Sequence, residues 1–402
     1  MVSQKSKDII AATLPAVREN AMNITSTFYP LMFERYPQVK AYFNESHQRE
    51  GTQRQALANA VVAYAANLDR LEVLGDAVSL IVQKHASLNI LPEHYPIVGE
   101  CLLEAISIVF GDAATDEVLS AWGEAYQQLA DILINAEEAV YQANEQKEGG
   151  WRGEREFVLV RKEKESDVIT SFYFEPADGG EVADFKPGQY IGITLTIDGQ
   201  EVRRNYSLSN SPGERYYRLS VKRENDGKVS ALLHDKLKPG DRVKLTPPAG
   251  DFVLEQSQRP LVLLTGGVGI TPAISMLEPA LQSGRPVQFF HCAINGNHHA
   301  FKQHVDDLAE RYDNLSVTYC YSEPSANDNS HLTGFIEQDM VAPLVPEPAE
   351  TDLYFLGPKP FMDSCHRIAK GLGIPAERVR FEFFGPLQTL DASNNTDDEL
   401  AA

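Results

Sequence analysis

The spacing of apolar residues changes twice along this chain of 402 residues, and these changes constrain the fold more than any other feature. Up to about residue 145, apolar residues recur at helical intervals, as in ALANAVVAYAANL and DEVLSAWGEAYQQLADILINAEEAVY. From residue 157, short alternating runs such as EFVLV, SFYFE and YIGITLTI predict antiparallel strands. After residue 259, buried-looking runs such as LVLLTGG and DLYFLG alternate with helical segments, which is typical of a parallel sheet.

We therefore predict a multidomain protein. It comprises an all-α domain over residues 1–145, an antiparallel β-barrel over 152–255 and an α/β doubly wound domain over 259–390. Pro30 and Pro37 are expected at helix junctions. The tail over 391–402 is polar and acidic, and we predict that it is disordered.

Charge and apolar run length restrict the classes of partner. The formal net charge of -21 repels phosphate backbones and anionic lipids, so neither nucleic acid nor a membrane surface is an expected partner. No apolar run approaches the roughly 18 residues of a membrane span, and the N-terminus lacks a secretory signal pattern. We predict a cytoplasmic monomer that binds small molecules and has no obligatory protein partner.

The cysteines are few and scattered. Their positions contain no CxxC spacing, which argues against both a disulfide framework and a thiolate metal site. They are interpreted as buried thiols: Cys101, Cys292, Cys320 and Cys365.

A histidine in the middle of a predicted helix is the first candidate for chemistry. His85 shares one helix face with Ile81 and Leu88, so it is either a core histidine bonded to a carbonyl or an iron ligand. Glu137 is a lone carboxylate in an apolar helical segment, where a buried partner or a solvated face are both open. Gln53 lies four residues before Leu57, so the two side chains share one helix face.

Together with Tyr29, Phe43 and the segment KHASLNILPEHYPIVGE, these residues resemble the globin domain of the flavohaemoglobin family. The resemblance implies His85 as the proximal iron ligand of haem b, with Tyr29 and Gln53 on the distal side. It further implies that Phe43 and Leu57 line the haem pocket and that Tyr95 and Glu137 form the proximal hydrogen-bond network. Lys84 would lie near the haem edge.

Three segments of the strand-rich domain, FKPGQY, RRNYSLS and GKVSALLH, resemble the flavin domain of the ferredoxin reductase family. For RNYS alone, an ordinary surface strand is the alternative. The resemblance implies that Arg204 meets the FAD pyrophosphate, Tyr206 lies along the isoalloxazine and Ser207 lies near its reactive nitrogen. The implied FAD-binding residues are Tyr190, Arg204, Asn205, Tyr206, Ser207, Gly227, Val229 and Ser230.

LVLLTGGVGITP places glycines between a buried strand and a helix expected to begin near Pro272, with Thr271 as its cap. This turn resembles the nicotinamide motif of the same reductase family. YFLGPKPFM, from Tyr354 to Met362, resembles the family's second nucleotide segment, although Leu356 replaces the cysteine common before its glycine. The implied nucleotide-binding residues are Gly266, Gly267, Val268, Gly269, Ile270, Thr271 and Pro272. The segment FEFFGP resembles the part that covers the flavin: Glu382, Phe383, Phe384, Gly385 and Pro386.

The resemblance spans nearly the whole chain and implies a nitric oxide dioxygenase. NADH or NADPH reduces FAD, FAD reduces haem one electron at a time, and ferrous haem with oxygen converts nitric oxide to nitrate. The sequence leaves the choice between NADH and NADPH open. A haem-based gas sensor and a peroxide reductase are the alternatives.

Overall fold

The computed structural model describes residues 2–43, 51–385 and 390, and its first part is helical. Side chains cap two of its helices, because the Ser3 hydroxyl accepts from Ser6 N and the Thr115 hydroxyl accepts from Val118 N. The expectation that Pro30 marks a junction is wrong, since it lies inside the second helix. The elements are α1 Gln4–Glu19, α2 Ala21–Arg35, a 3-10 helix Pro37–Tyr42, α3 Thr52–Ala66, α4 Gly75–Ser87, α5 His94–Phe110 and α6 Asp116–Glu145.

The second part is an antiparallel sheet with strand order β4-β3-β6-β1-β2-β5. Leu208, directly after β4, pairs with Leu219 in β5, so the two edge strands meet and the sheet closes on itself. The sheet interior is filled by large apolar side chains such as Phe157, Phe172 and Tyr217. The strands are β1 Arg155–Lys164, β2 Ile169–Pro176, β3 Tyr190–Ile197, β4 Gln200–Ser207, β5 Tyr217–Lys222 and β6 Arg242–Leu245, with a one-turn helix α7 Lys228–Ala231 between β5 and β6.

The third part is a parallel sheet, β10-β9-β8-β7-β11-β12, with a buried apolar cluster on each face. One cluster includes residues of α8 and α9, and the other includes residues of α10 and α11. The elements are β7 Leu261–Gly266, α8 Ile270–Gln282, β8 Val287–Ala293, α9 Lys302–Arg311, β9 Leu315–Tyr321, β10 Leu332–Thr333, α10 Gln338–Val341, β11 Asp352–Leu356, α11 Lys359–Gly371 and β12 Val379–Phe381.

These architectures confirm the predicted fold class. The strands β6, β10 and β12 were absent from the sequence prediction because they have only 4, 2 and 3 residues, too few for an alternating pattern. None of the helices within the described residues has both the length and the apolar character required to cross a membrane. The predicted disordered tail, 391–402, lies outside the described residues.

A buried ion pair connects the start of β11 to the loop before β8. Arg285 is 1% exposed, and its Nη2 lies 2.5 Å from Asp352 Oδ2. Its Nε donates to Arg259 O at 2.5 Å. Burial lowers the pKa of Arg285, and the Asp352 carboxylate opposes that shift. The Asp352 carboxylate therefore compensates the positive charge of Arg285, which is buried in the protein interior.

Candidate active site

His85 lies near the end of α4 and faces two residues of other helices. Its Nδ1 is 2.7 Å from Glu137 Oε1 on α6 and 3.1 Å from Tyr95 Oη on α5. Tyr95 donates to the same carboxylate oxygen at 2.5 Å, and Glu137 is only 2% exposed. Burial and this hydrogen bond raise the pKa of Tyr95, which therefore stays a proton donor. Of the two interpretations of Glu137, the structure places it in the buried arrangement.

This contact selects the histidine tautomer. A carboxylate accepts, so Nδ1 carries the proton and the Nε2 lone pair is available to a ligand. The His85 side chain remains 32% exposed although its Nδ1 edge is packed against protein. A neutral imidazole oriented by a carboxylate is the usual arrangement of a metal-binding histidine.

The residues expected on the opposite side lie together in the core of the helical domain. The ring of Tyr29 contacts that of Phe43 edge-on, with centroids 5.7 Å apart. Its hydroxyl donates to the backbone carbonyl of Gln53 at 3.5 Å. Leu57, one turn after Gln53 on α3, packs against the same apolar cluster. The expected distal residues are thus adjacent in space.

The end of α4 is fixed to the flavin-type barrel through Ser87. Asn205 Nδ2 donates to Ser87 Oγ at 2.6 Å, and Thr246 Oγ1 donates to Ser87 O at 2.9 Å. Gly192 is required here, because a Cβ at this position would lie 2.1 Å from Ser87 O. The helix that carries His85 is therefore held directly against β3 and β4.

A second contact brings together residues from all three domains. Lys84 Nζ lies over the ring of Tyr190 at 5.8 Å from its centroid. Burial raises the pKa of Glu382 to about 8, while Lys84 opposes the shift. Burial lowers the pKa of Lys84, Glu382 raises it, and Arg204 lowers it further. The junction of the three domains therefore contains Lys84, Tyr190, Arg204 and Glu382.

The expected flavin residues Arg204 to Ser207 form the last part of β4, which packs against the end of α4. Tyr190 and Ser207 are directly paired, as are residues 191 and 206. Burial raises the pKa of Tyr206, so its phenol stays protonated. Asn205 Oδ1 is buried and has no hydrogen-bond partner within the described part of the chain. An unpaired buried acceptor calls for an external donor, and the N–H of a flavin ring is one.

In the GKVS segment, the Ser230 side chain bonds to the backbone of its own turn. Ser230 Oγ accepts from Glu224 N at 3.1 Å and donates to Gly227 O at 3.0 Å. Val229 is buried in the barrel core. The hydroxyl of Ser230 therefore closes its own turn.

The glycine-rich turn after β7 packs against the end of β11. A Cβ on Gly269 would lie 2.3 Å from Leu356 O, and one on Gly266 would touch the ring of Phe361 at 3.0 Å. Gly267 has a φ of 52°, which favours glycine. Gly266 and Gly269 therefore let the turn pack closely on the neighbouring protein, whereas an added Cβ on Gly267 would meet nothing within 4 Å. The open backbone edge at Gly267 is of the kind that receives a pyrophosphate.

The expectation that Thr271 caps the following helix is wrong. The helix begins at Ile270, directly after a 3-10 turn over Gly267–Gly269, and no side chain caps it. Thr271 lies in its first turn and donates to Val268 O at 3.0 Å. Ile270, Thr271 and Pro272 are buried.

The last expected segment follows β12 at the edge of the parallel sheet. Glu382 and Phe383 are partly buried, and Phe384 is 47% exposed. Gly385 is the last residue before the gap, and Pro386 lies outside the described residues.

The sequence analysis missed Ser87, Thr246 and Gly192, which join the helical domain to the barrel. Ser87 lies two residues after His85, but nothing in the sequence indicates that its partners lie on the barrel. Such pairings depend on how two domains dock, which local patterns do not encode.

Comparisons with known proteins agree with the division of the chain into three domains. The chain matches the family models described as Globin over residues 26–133, Oxidoreductase FAD-binding domain over 156–254 and Oxidoreductase NAD-binding domain over 263–367. It is 53% identical over 392 residues to the Flavohemoprotein of Pseudomonas putida, covering 97% of this chain and 100% of that protein.

Two solved structures are also similar. Flavohemoglobin from Malassezia yamatoensis, crystallised with bound FAD and heme, matches with a TM-score of 0.85 and 29% identity over 96% of this chain and 100% of that chain. The flavohem-like FAD/NAD-binding domain of nitric oxide dioxygenase from Vibrio cholerae matches with a TM-score of 0.54 and 38% identity, covering 58% of this chain and 99% of that chain.

A globin domain with a carboxylate-oriented histidine, joined to FAD-binding and NAD-binding domains, defines an oxidoreductase of the fused haem and flavin class. Within that class the chain belongs to the flavohemoprotein (flavohaemoglobin) family.

Proposed function

We propose that this protein is an NAD(P)H-dependent nitric oxide dioxygenase, which converts nitric oxide and oxygen to nitrate and so detoxifies nitric oxide. The observation that carries the proposal is the hydrogen bond between His85 Nδ1 and the buried Glu137 carboxylate. An anionic partner increases electron donation by the imidazole, which favours activation of oxygen over reversible carriage. The nitric oxide dioxygenase domain from Vibrio cholerae that matches the reductase half also supports it.

The side chains fit haem b. His85 offers its Nε2 lone pair, since Nδ1 is taken by Glu137 and Tyr95. On the other side, Phe43 and Leu57 form the apolar wall, and Tyr29 and Gln53 supply polar groups. We assign the Tyr29 hydroxyl to donate a hydrogen bond to the bound oxygen, which would stabilise its negative charge. The domain boundaries follow the same assignment: a haem domain over 1–145, an FAD domain over 152–255 and an NAD(P) domain over 259–390.

The barrel and the parallel sheet fit FAD and a nicotinamide nucleotide. Asn205 Oδ1 has no hydrogen-bond partner within the described residues and is the acceptor proposed for a flavin N–H. Arg204 is the cation assigned to the FAD pyrophosphate. The open edge of the turn at Gly267, where an added Cβ would meet nothing within 4 Å, fits a nucleotide pyrophosphate, while Gly266 and Gly269 let the turn pack closely against Phe361 and Leu356. When bound, the nicotinamide supplies a hydride, FAD divides the electron pair into single electrons, and haem iron uses them to activate oxygen.

Residues at the domain junction define the proposed path of electrons from the flavin site to the haem site. Ser87 fixes α4, and with it His85, against the strand that carries Asn205, so the haem and flavin sites keep a constant separation. Lys84 and Glu382 lie at this junction, where burial lowers the pKa of Lys84 and raises that of Glu382. Reduced nucleotide, oxygen and nitric oxide are the proposed substrates, and the protein acts as a monomer in the cytoplasm.

Nitric oxide consumption tests the proposal. Purified holoprotein with NADH or NADPH in air is expected to consume nitric oxide and form nitrate in equal amounts. Faster consumption of hydrogen peroxide or alkyl hydroperoxides than of nitric oxide would instead support a peroxide reductase. Gas binding without nucleotide oxidation would support a sensor.

A further inference from the structure

Three of the four cysteines, separated in sequence, gather on one face of the parallel sheet. Cys292 in β8 and Cys320 in β9 are directly paired in the strand register. Both pack with Cys365 of α11 in the apolar cluster on that face. Cys101 lies in the helical domain. Sequence spacing alone gave no sign of this cluster, because neighbouring parallel strands align residues that lie far apart in the chain.

The register places Cys292 and Cys320 within disulfide reach. Neighbouring strands lie about 4.8 Å apart, inside the usual range of about 4.4–6.8 Å between the Cα atoms of a disulfide. Both thiols point to the same face, since both pack in the same cluster. Closing the bond requires the Cβ atoms to approach more closely than ladder neighbours do, so the bond would be strained and easily reduced.

The two thiols differ in access. Cys292 is partly exposed near the end of β8, whereas Cys320 is fully buried and its S–H donates to Gly334 O at 3.3 Å. The hydrogen bond between the two thiols, together with burial, raises the pKa of Cys292 well above its ordinary value. The same hydrogen bond lowers the pKa of Cys320. Exposure makes Cys292 the thiol that a small disulfide reaches first, and its raised pKa makes that attack slow at neutral pH. The more acidic Cys320 is suited to the second attack.

We propose that Cys292 and Cys320 form a reversible disulfide by exchange with a low-molecular-weight disulfide, and that this bond weakens nucleotide binding. Cys292 loses its proton and attacks one sulfur of the small disulfide, which forms a mixed disulfide and releases one thiol. Cys320 loses its proton and attacks Cys292 Sγ, which closes the protein disulfide and releases the second thiol. The protein thiols are oxidised by two electrons, and the small disulfide is reduced by two.

The consequence for nucleotide binding follows from the register and rests on the function proposed above. Cys292 pairs with Cys320 on one side and with Gly266 of β7 on the other. Pulling the end of β8 toward β9 moves it away from Gly266, the first residue of the glycine-rich turn. The site assigned to the nucleotide pyrophosphate thus loses its alignment while the helical domain is untouched.

Thiol counting on the holoprotein tests the bond itself. The protein is incubated with hydroxyethyl disulfide, denatured, labelled with a maleimide and mapped by mass spectrometry. We expect the loss of two of the four thiols, with Cys292 and Cys320 recovered as one cross-linked peptide pair. Cys101→Ser and Cys365→Ser are the matched controls and are expected to lose two thiols as well. Cys320→Ser is expected to stop at a mixed disulfide on Cys292.

A wild-type protein that keeps all four thiols, or a cross-link that contains Cys365, would overturn the proposal. The wild-type peptide map decides this even if a variant fails to fold. The nucleotide readout is separate: the oxidised protein is expected to show a KM for NADH raised on the order of threefold or more, reversed by a dithiol. A formed bond with an unchanged KM overturns the link to the nucleotide site. Failure of the reduced protein to use NADH counts against the proposed function and leaves the thiol result intact.

Discussion

Glu137→Gln is the sharpest perturbation of the proposed mechanism. Both hydrogen bonds of the carboxylate, from His85 Nδ1 at 2.7 Å and Tyr95 Oη at 2.5 Å, end on Oε1. An amide oxygen can occupy that position, so we expect the fold and the haem content to be retained. Only the negative charge disappears.

The size of the effect follows from the bond to His85. A hydrogen bond to a charged group contributes about 1–1.5 kcal/mol more than a neutral one. If that difference is lost from electron donation by His85, oxygen-dependent turnover falls roughly 5–10-fold. This approaches the range of about 10–100-fold typical of groups that orient a metal ligand.

The assay combines steady-state nitric oxide consumption with resonance Raman spectroscopy of the ferrous protein. We expect Glu137→Gln to lower both the turnover and the iron–histidine stretching frequency, which a merely structural role would leave unchanged. Glu138→Gln is the matched control, because Glu138 is 40% exposed and pairs with Arg152. The reasoning is refuted if the two variants have the same turnover and the same frequency.

Three further outcomes are expected. Asp352→Ala leaves Arg285 as a buried charge without its partner, and should lower the free energy of unfolding by about 3–5 kcal/mol in denaturant titrations; a loss below about 1 kcal/mol contradicts this. Glu382 has a raised pKa of about 8, so its contribution to stability is full below the ordinary carboxyl pKa and is lost as the pH rises through about 8. Glu382→Gln should remove that part of the pH dependence from thermal melts, and a melting profile with the wild-type pH dependence would contradict it. Gly269→Ala forces a Cβ to within 2.3 Å of Leu356 O, so the KM for NADH in flavin reduction should rise on the order of tenfold, while an unchanged KM removes this turn from the nucleotide site.

The sequence predicted the fold class because each domain has its own apolar period. Helical spacing, alternation and continuous buried runs each specify one kind of layer. The apolar pattern did not predict β10, because its two residues are too few to form a pattern and pair with β9 only within the assembled sheet. The start of α8 was misplaced for a related reason, since the 3-10 turn over Gly267–Gly269 leads directly into the helix.

The candidate site divides in the same way. Family resemblance indicated His85, Tyr95 and Glu137 as one network, and the structure brings their polar atoms together. No pattern could place Lys84 over Tyr190 or join Asn205 to Ser87. These contacts cross domain boundaries, so they depend on docking geometry rather than on local sequence.

The central claim is that electrons from a nicotinamide nucleotide reach the iron held by His85. Anaerobic stopped-flow mixing of the holoprotein with NADH, with flavin and haem absorption recorded together, measures this directly. The account predicts that the flavin is reduced first and that ferric haem becomes ferrous within the time of one turnover. Flavin that is reduced while the haem stays ferric would contradict it.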